Sequence, residues 1–403
     1  MKQNKKNSKY LLQKEGSVEF FIHRSDKEKI PSKSMNVFYN KDMEINRDIT
    51  ISSIITYKNL YHPDSLIIVD SMAASGITSI RLLKECNNIK KIYINDINPL
   101  AVKLIKKNLD ITNKILDNVE VTNEEANSLF FKLVSQDKLR RPNVLIIDPF
   151  GTPSNFIDCA SKLIQKENGL LCVTATDTAV LFGVRKRACI KKYLSKPLHN
   201  EYCKEIGARI LLYFISKIAN INNIGITPLL TFYSGHFLKI FALTYKGNKK
   251  IYSNFSTYGY ILHCNDCGAR SVYHENILII PHHCPICKKN KALEYAGPLW
   301  IENLHNKVFL EKLIIQNLDT QFTNKSKINK ILNIALKEMD MPASYYNIHK
   351  LCEKFKLSQV PKINLIIEKI ENLGAQASRT LFDYLAIKTN IGIQKLEELI
   401  RGM

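Results

Sequence analysis

From residue 66 onward, short apolar runs alternate with stretches of helical period. LIIVD (66–70) is followed by the turn SMAASG and then by ITSIRLLKEC. KIYINDI (91–97) is followed by NPLAVKLIKKNLDIT. NVLIIDPFG (143–151) and GLLCVTATD (169–177) repeat the short apolar motif. Runs this short and this unbroken read as strands buried on both faces. Their alternation with helices predicts βαβ units and a parallel sheet. ARILLYFISKIA (208–219) has a helical period. PLLTFYSGHFLKIFALTY (228–245) reads as a strand pair with a turn near Gly235, antiparallel and closing the sheet. Ahead of these, EGSVEFFIH is strand-like. After 246 the polar KGNKK marks a linker, residues 258–298 hold a cysteine cluster, and from about 301 the chain looks helical. PASYYNIHKLCEKFKL and SQVPKINLIIEKIENLG give two amphipathic helices joined by a short turn, with polar residues after them. That order fits a winged-helix module or an ordinary helical bundle.

Composition adds a partner class. Lys plus Arg number 58 against 37 for Asp plus Glu, a net charge of +21 over 403 residues. Such an excess suggests a polyanion, nucleic acid ahead of an anionic membrane, although a Lys-rich bias of the whole chain gives the same number. The opening MKQNKKNSKY is polar and no apolar run is long enough for a bilayer. These features predict a soluble, cytoplasmic protein with no membrane association and no evident obligate protein partner.

The chemistry is expected at the carboxyl ends of the strands, where open parallel sheets bind their ligands. Asp70-Ser71-Met72-Ala73-Ala74-Ser75-Gly76 follows the first strand. Its small residues let backbone pass close to a bound molecule, and Gly76 tolerates positive φ; a ligand-free βα turn reads the same. Asp96, ending the second strand, suits the two hydroxyls of a ribose. A helix cap is the other reading, but Asn98, just before Pro99, fits the cap better. Asp148-Pro149-Phe150-Gly151 ends the third strand. An acidic or amide residue, then Pro, then an aromatic at this place is similar to the motif of methyltransferases acting on planar amines. An exocyclic base amine shares its lone pair with the ring, so it is a poor nucleophile. A carboxylate and a backbone carbonyl accept its two hydrogens and turn the lone pair outward, and Asp148 can take the leaving proton. Pro149 fixes the turn without adding a donor, and Phe150 offers a stacking face.

With those residues placed, the chain resembles the tRNA (guanine-26-N2)-dimethyltransferase family. The likeness runs from Glu15-Gly16 almost to the end: FYNKDMEINRDI (38–49), DSMAASGITSIR (70–81), NDINPLAV, EEANSL, DPFGTP, VTATD, RACIKKYL (187–194) and GAQASRTLFDYLAIKT (374–389) follow in family order. The resemblance implies an α/β fold: a Rossmann-like class I methyltransferase domain over 1–250, and a smaller C-terminal α+β domain over 251–403 that carries a zinc knuckle and binds tRNA. It implies S-adenosylmethionine as cofactor and tRNA as partner. Arg47 would pair with the cofactor's carboxylate, Asp96 with its ribose, and Glu125 and Ala126 would lie by its adenine. Asp148 would be catalytic, with Phe38 and Phe150 on the two faces of a flipped guanine. Many relatives carry Arg where this chain has Thr78, and Arg81 is the candidate replacement.

Cys264-x2-Cys267 and Cys284-x2-Cys287, sixteen residues apart, have the spacing of a zinc site. Four thiolates close the tetrahedron, so the ion would be structural. Two disulfides, or a ligand from His263, His282 or His283, are the other readings. Besides guanine N2 methylation of tRNA, an amino methyltransferase for rRNA guanine or DNA adenine and a catalytically silent zinc-containing RNA-binding protein fit parts of this pattern.

Overall fold

The computed structural model describes residues 9–26, 34–62, 64–111, 117–136, 141–274, 281–290, 293–357 and 359–403. By their contacts they fall into two units, one of residues 1–175, 241–245 and 311–330, the other of 176–240, 246–310 and 331–403.

The first unit opens with a hairpin of β1 (Tyr10–Glu15) and β2 (Val18–His23), followed by the long helix α1 (Glu44–Tyr61). Parallel strands follow: β3 (Leu66–Asp70), β4 (Ile89–Asn95), β5 (Val119–Thr122), β6 (Val144–Ile147) and β7 (Leu170–Ala175). Their spatial order is β5-β4-β3-β6-β7. Between them run α2 (Ile77–Glu85), α3 (Pro99–Asp110), α4 (Ala126–Gln136) and α5 (Ile157–Leu163). Every residue of β6 and β7 is buried, as the unbroken apolar runs predict for strands covered on both faces. Thr244 of β9 (Phe237–Lys246) exchanges backbone hydrogen bonds with Gly169, so β9 flanks β7. The strand order reverses between β3 and β6, and Asp70 pairs across that line with Ile146. Asp70 and Asp148 therefore stand at the topological switch point, where doubly wound sheets open a crevice.

The second unit begins with α6 (Thr178–Leu181), α7 (Lys186–Tyr193) and α8 (Cys203–Ile221). β8 (Ile224–Ser234) turns at Gly235 toward β9, as expected for the strand pair. After α9 (Asn248–Phe255) come β10 (Tyr258–Cys264), β11 (Arg270–His274) and β12 (Leu293–Trp300), an antiparallel sheet with β10 central. α10 (Lys307–Leu318) and α11 (Lys325–Lys337) run through residues of both units. The chain ends with β13 (Tyr346–Asn347), α12 (Ile348–Lys354), α13 (Ile363–Asn372), β14 (Ala377–Arg379), β15 (Ala386–Thr389) and α14 (Ile393–Arg401). Helix, helix and hairpin share one core of Ile348, Leu351, Ile366, Ile370, Ile387 and Leu396.

A buried charge cluster ties this end to α8. Lys388 places Nζ 2.8 Å from Glu205 and 3.9 Å from Glu338, Arg209 also reaches Glu205 at 2.8 Å, and His305 lies 3.1 Å from Glu338. Burial alone would raise the Glu205 carboxyl, but Lys388 and Arg209 outweigh it and hold it below its ordinary range. Charges this deep persist only when paired, which gives Lys388 of the AIKT stretch a structural task. Among the described residues no helix is long and apolar enough to cross a membrane.

Candidate functional site

The crevice over β3, β4 and β5 is assembled from three loops. The first, Ser71–Gly76, leaves β3 and enters α2 through Gly76, whose left-handed φ of 76° suits glycine. A β-carbon there would also press on Ile105 at 3.0 Å. The second loop carries Asp96, whose Oδ2 accepts the Ala74 N–H at 2.8 Å and whose Oδ1 accepts that of Asn98 at 2.8 Å. Asn98 is the cap of α3, as expected, accepting from Leu100 N. Each Asp96 oxygen has acceptor capacity left. Burial raises the Asp96 carboxyl above its usual range, against the lowering effect of the Asn98 and Ala74 hydrogen bonds. The third loop carries Glu125, which accepts the Ser128 N–H at 3.0 Å, and the buried Ala126. Asn95 stitches the three together and was not singled out in the sequence. Its amide donates to Ser71 O at 3.0 Å and Glu124 O at 2.9 Å and accepts from Glu124 N at 3.0 Å. Asp70 itself is buried and accepts from Ser79 Oγ at 2.7 Å.

Asp148 is half-buried at the end of β6. Its Oδ2 accepts from Asn46 Nδ2 of α1 at 3.4 Å, which orients the carboxylate and leaves Oδ1 to a substrate. Pro149 is buried and Gly151 takes φ 96°, so the turn throws Phe150 outward to 48% exposure. Phe38 and Phe150 meet at 4.6 Å between centroids and 85° between planes. The two rings expected to flank a base are thus together, but edge to face. A base between them would need parallel rings about 7 Å apart, twice the ~3.4 Å rise of stacked bases, and so a different setting of one ring.

The NRD triplet divides its labour. Asn46 holds Asp148. Arg47 makes a bidentate pair with Glu15, Nε at 2.7 Å and Nη2 at 2.6 Å, and Nη2 also donates to Asn40 O at 3.1 Å. Its Nη1 is the donor left for a ligand carboxylate. Asp48 lies 2.7 Å from Arg81 and accepts from Asn324 Nδ2 at 3.1 Å. Arg81 is 0% exposed and is wrapped by Glu15 at 3.0 Å, Asp48 and Glu85 at 3.1 Å. A guanidinium so enclosed has no face for a ligand, so the geometry gives Arg81 another task than replacing the arginine absent at Thr78. Burial pulls it down, but the Glu85 hydrogen bond and the three carboxylates hold it above its ordinary range. Glu15, which joins both arginines, was not anticipated. Burial raises its carboxyl, while Arg47 and Arg81 win and hold it low. Asp48 goes the other way: burial outweighs its partners and raises it. Gly16 is what lets this hairpin close. It sits at φ 54°, and a β-carbon would fall 2.6 Å from Arg81 Nε and Glu85 Oε1.

Arg81→Met should therefore strand the buried Asp48 carboxylate, take one of two cationic partners from the buried Glu15 and the partner from the partly buried Glu85, and cost about 3–5 kcal/mol of stability. Urea unfolding checks this; a loss below about 1 kcal/mol would mean the cluster is solvated.

The four cysteines come together in the second unit. The sulfurs of Cys264 and Cys287 are 3.7 Å apart, as are those of Cys267 and Cys284, and all four lie within 4.8 Å of one another. A disulfide requires about 2.05 Å, which removes that reading. Zn–S bonds of about 2.3 Å in a tetrahedron put sulfurs about 3.8 Å apart, so the donor set fits zinc. Among the described residues no histidine joins the cluster. Two equivalent knuckles build it: Gly268 N donates to Cys264 O at 2.8 Å and Lys288 N to Cys284 O at 2.9 Å, with φ of 79° and 60° at those residues.

Comparison with known proteins completes the description. Residues 17–401 match the family described as N2,N2-dimethylguanosine tRNA methyltransferase. The chain is 36% identical to the tRNA (guanine(26)-N(2))-dimethyltransferase of Methanosphaera stadtmanae, covering 94% of each chain. It is 34% identical to that of Methanobrevibacter smithii, covering 91% of this chain and 92% of the relative. Trm1 from Pyrococcus horikoshii, solved with S-adenosyl-L-methionine, superposes with a TM-score of 0.82 at 26% identity, over 97% of this chain and 99% of that one.

Proposed function

The chain belongs to the N2,N2-dimethylguanosine tRNA methyltransferase family, and on that premise we infer that it methylates the exocyclic N2 of guanine 26 in tRNA from S-adenosylmethionine, ending at N2,N2-dimethylguanosine. The observation that carries this reading is the place of Asp148-Pro149-Phe150 at the switch point of the sheet, one strand from the loop that Asp96 holds.

The residues present suit the cofactor. Asp96 would accept the ribose hydroxyls, Glu125 and Ala126 would border the adenine, and Asp70 and the Ser71–Gly76 turn would pass beneath. Arg47 would offer Nη1 to the carboxylate, with Arg81 acting behind it by holding Glu15. The bound sulfonium supplies an electrophilic methyl carbon. Asp148, with a backbone carbonyl of the same turn, accepts the two N2 hydrogens and turns the nitrogen lone pair out of conjugation with the purine. Asn46 keeps the carboxylate in that orientation, and Asp148 takes the released proton. Phe38 and Phe150 fix the base plane. Holding the nitrogen in line with the methyl is the main effect, since orientation alone is worth orders of magnitude.

We assign methyl transfer to residues 1–250 and tRNA binding to 251–403, with the zinc knuckle at 258–298 and a winged-helix part within 301–403. We place the enzyme in the cytoplasm, with tRNA as its partner and no obligate protein partner. Incubation with methyl-labelled S-adenosylmethionine and unmodified tRNA, then digestion to nucleosides, tests the function. Label in dimethylguanosine is expected. Label in adenosine would point to the adenine methyltransferase, and no label to a silent RNA-binding protein.

A further inference from the structure

The segment between β7 and α8 is the most one-sided stretch of charge in the described chain. Residues 178–200 contain Arg185, Lys186, Arg187, Lys191, Lys192 and Lys196 and no acid at all. Arg185, Lys186, Arg187 and Lys191 are exposed, and among the described residues none has an ion-pair partner. Lys192 has an ion-pair partner, Asp177 at 3.5 Å, and Lys196 feels the charge of Glu294. Lys196 lies over the Tyr295 ring at 3.4 Å, and burial and then the charge of Lys186 hold its ammonium below the ordinary range.

Folding does not explain this arrangement. Arg185 caps α7 and Lys186 and Arg187 form its first turn, the positive end of the helix dipole, where cations are unfavourable. Apolar side chains stand between the charges in solvent: Val184 at 62%, Ile190 at 44% and Leu194 at 51% exposure. Leu194 ends α7 at φ 54°, a left-handed conformation that a branched side chain adopts only at a cost. A strained, exposed leucine amid unpaired cations serves something outside the chain.

The winged-helix region makes the contrast. The stretch from Lys362 through α13 carries Lys362 and Lys369 against Glu368 and Glu371, a balance of zero. The helix such modules usually lay against nucleic acid is here neutral.

We propose that Val184–Leu194, within the segment assigned to methyl transfer, rather than α13, is the main phosphate-contacting surface for tRNA, so that residues 251–403 share tRNA binding instead of carrying it alone; its cations lie on the backbone and Val184, Ile190 and Leu194 against riboses or an unstacked base. This rests on the assignment of tRNA as substrate. Phosphate contacts made by Lys and Arg release counterions, so each one steepens the salt dependence of binding.

The test uses the full chain with the triple variant Arg185→Gln/Lys186→Gln/Arg187→Gln, and Lys362→Gln/Lys369→Gln for comparison. Filter binding of unmodified tRNA is followed from low to high salt. The triple variant should lose at least tenfold in affinity and about 2–3 in the log–log salt slope, while α13's variant changes little. Because the removed charges oppose the helix dipole, thermal stability should hold or rise, which excludes misfolding as the cause. Leu194→Gly should raise Tm and weaken tRNA binding together. An unchanged slope in the triple variant, or a larger loss in the α13 variant, overturns the proposal. Failure of the tRNA assignment looks different: the unaltered protein would then bind tRNA without salt dependence or leave no methylated guanosine.

Discussion

Replacing Asp148 with alanine is expected to lower kcat about a thousandfold while the affinities for S-adenosylmethionine and tRNA stay within a fewfold of normal. The guanine amine is planar because its lone pair is delocalised, and an acceptor pair is needed to rotate it toward the methyl. Asp148 is the carboxylate at the switch point, oriented by Asn46 at 3.4 Å. It contributes both orientation and proton removal, and a positioned general base is worth roughly 10²–10⁴ in rate. Binding survives because the cofactor's expected contacts, Asp96, Glu125 and Arg47, lie on other strands and helices. Asp148→Asn should lose less than Asp148→Ala, since the amide oxygen still accepts an amine hydrogen while the proton-accepting carboxylate is gone. Asn46→Ala should cost less, as it removes an orienting contact rather than the base. Isothermal titration for the cofactor and single-turnover methylation check the split between kcat and binding. Activity of Asp148→Ala within a fewfold of the unaltered enzyme would contradict the assigned role.

The second large effect is metal removal. Cys284→Ser, or prolonged chelation, should take bound zinc from one ion per chain to none and unfold the knuckle around residues 258–298. Structural zinc sites bind with about 10–16 kcal/mol in small peptides, comparable to the whole stability of a domain. Around this site the apolar packing is thin: the cluster's own neighbours are Cys267, Cys287, Ala269 and Leu293. Without the ion, Cys264, Cys267, Cys284 and Cys287 would leave a polar hole with nothing to close it. A loss of at least about 4 kcal/mol, on the order of 10 °C in Tm, follows. Zinc content by atomic absorption and thermal unfolding read it out. Full stability of the metal-free protein would mean the knuckle is held by its backbone alone.

Much of this was legible in the linear chain wherever the signal was local. Strand runs, the Asn98-Pro99 helix start, the acid–Pro–aromatic turn and the paired Cys-x2-Cys knuckles each depend on neighbours a few residues away, and period, capping and spacing record such neighbours directly. What depends on distant partners was not legible. Glu15 lies 32 residues from Arg47 and 66 from Arg81, and nothing in its own surroundings marks it as the link between them. The same holds for Asn95, which clasps loops from three strands, and for Lys388, buried 183 residues from Glu205. Arg81 is the candidate replacement for the arginine absent at Thr78 only by its nearness in the motif; in space its side chain turns into the Glu15 hairpin. The Phe38–Phe150 pair was legible as a pair, but its edge-to-face closure is a property of the protein without its base.

The placement of the amine against Asp148 is read out by a structure of the enzyme with S-adenosylhomocysteine and tRNA bound. Guanine N2 is expected within about 3.2 Å of Asp148, with the purine between Phe38 and Phe150 and those rings parted. A ternary complex in which the amine lies away from Asp148, or in which that carboxylate turns from the adenosyl pocket, would contradict it.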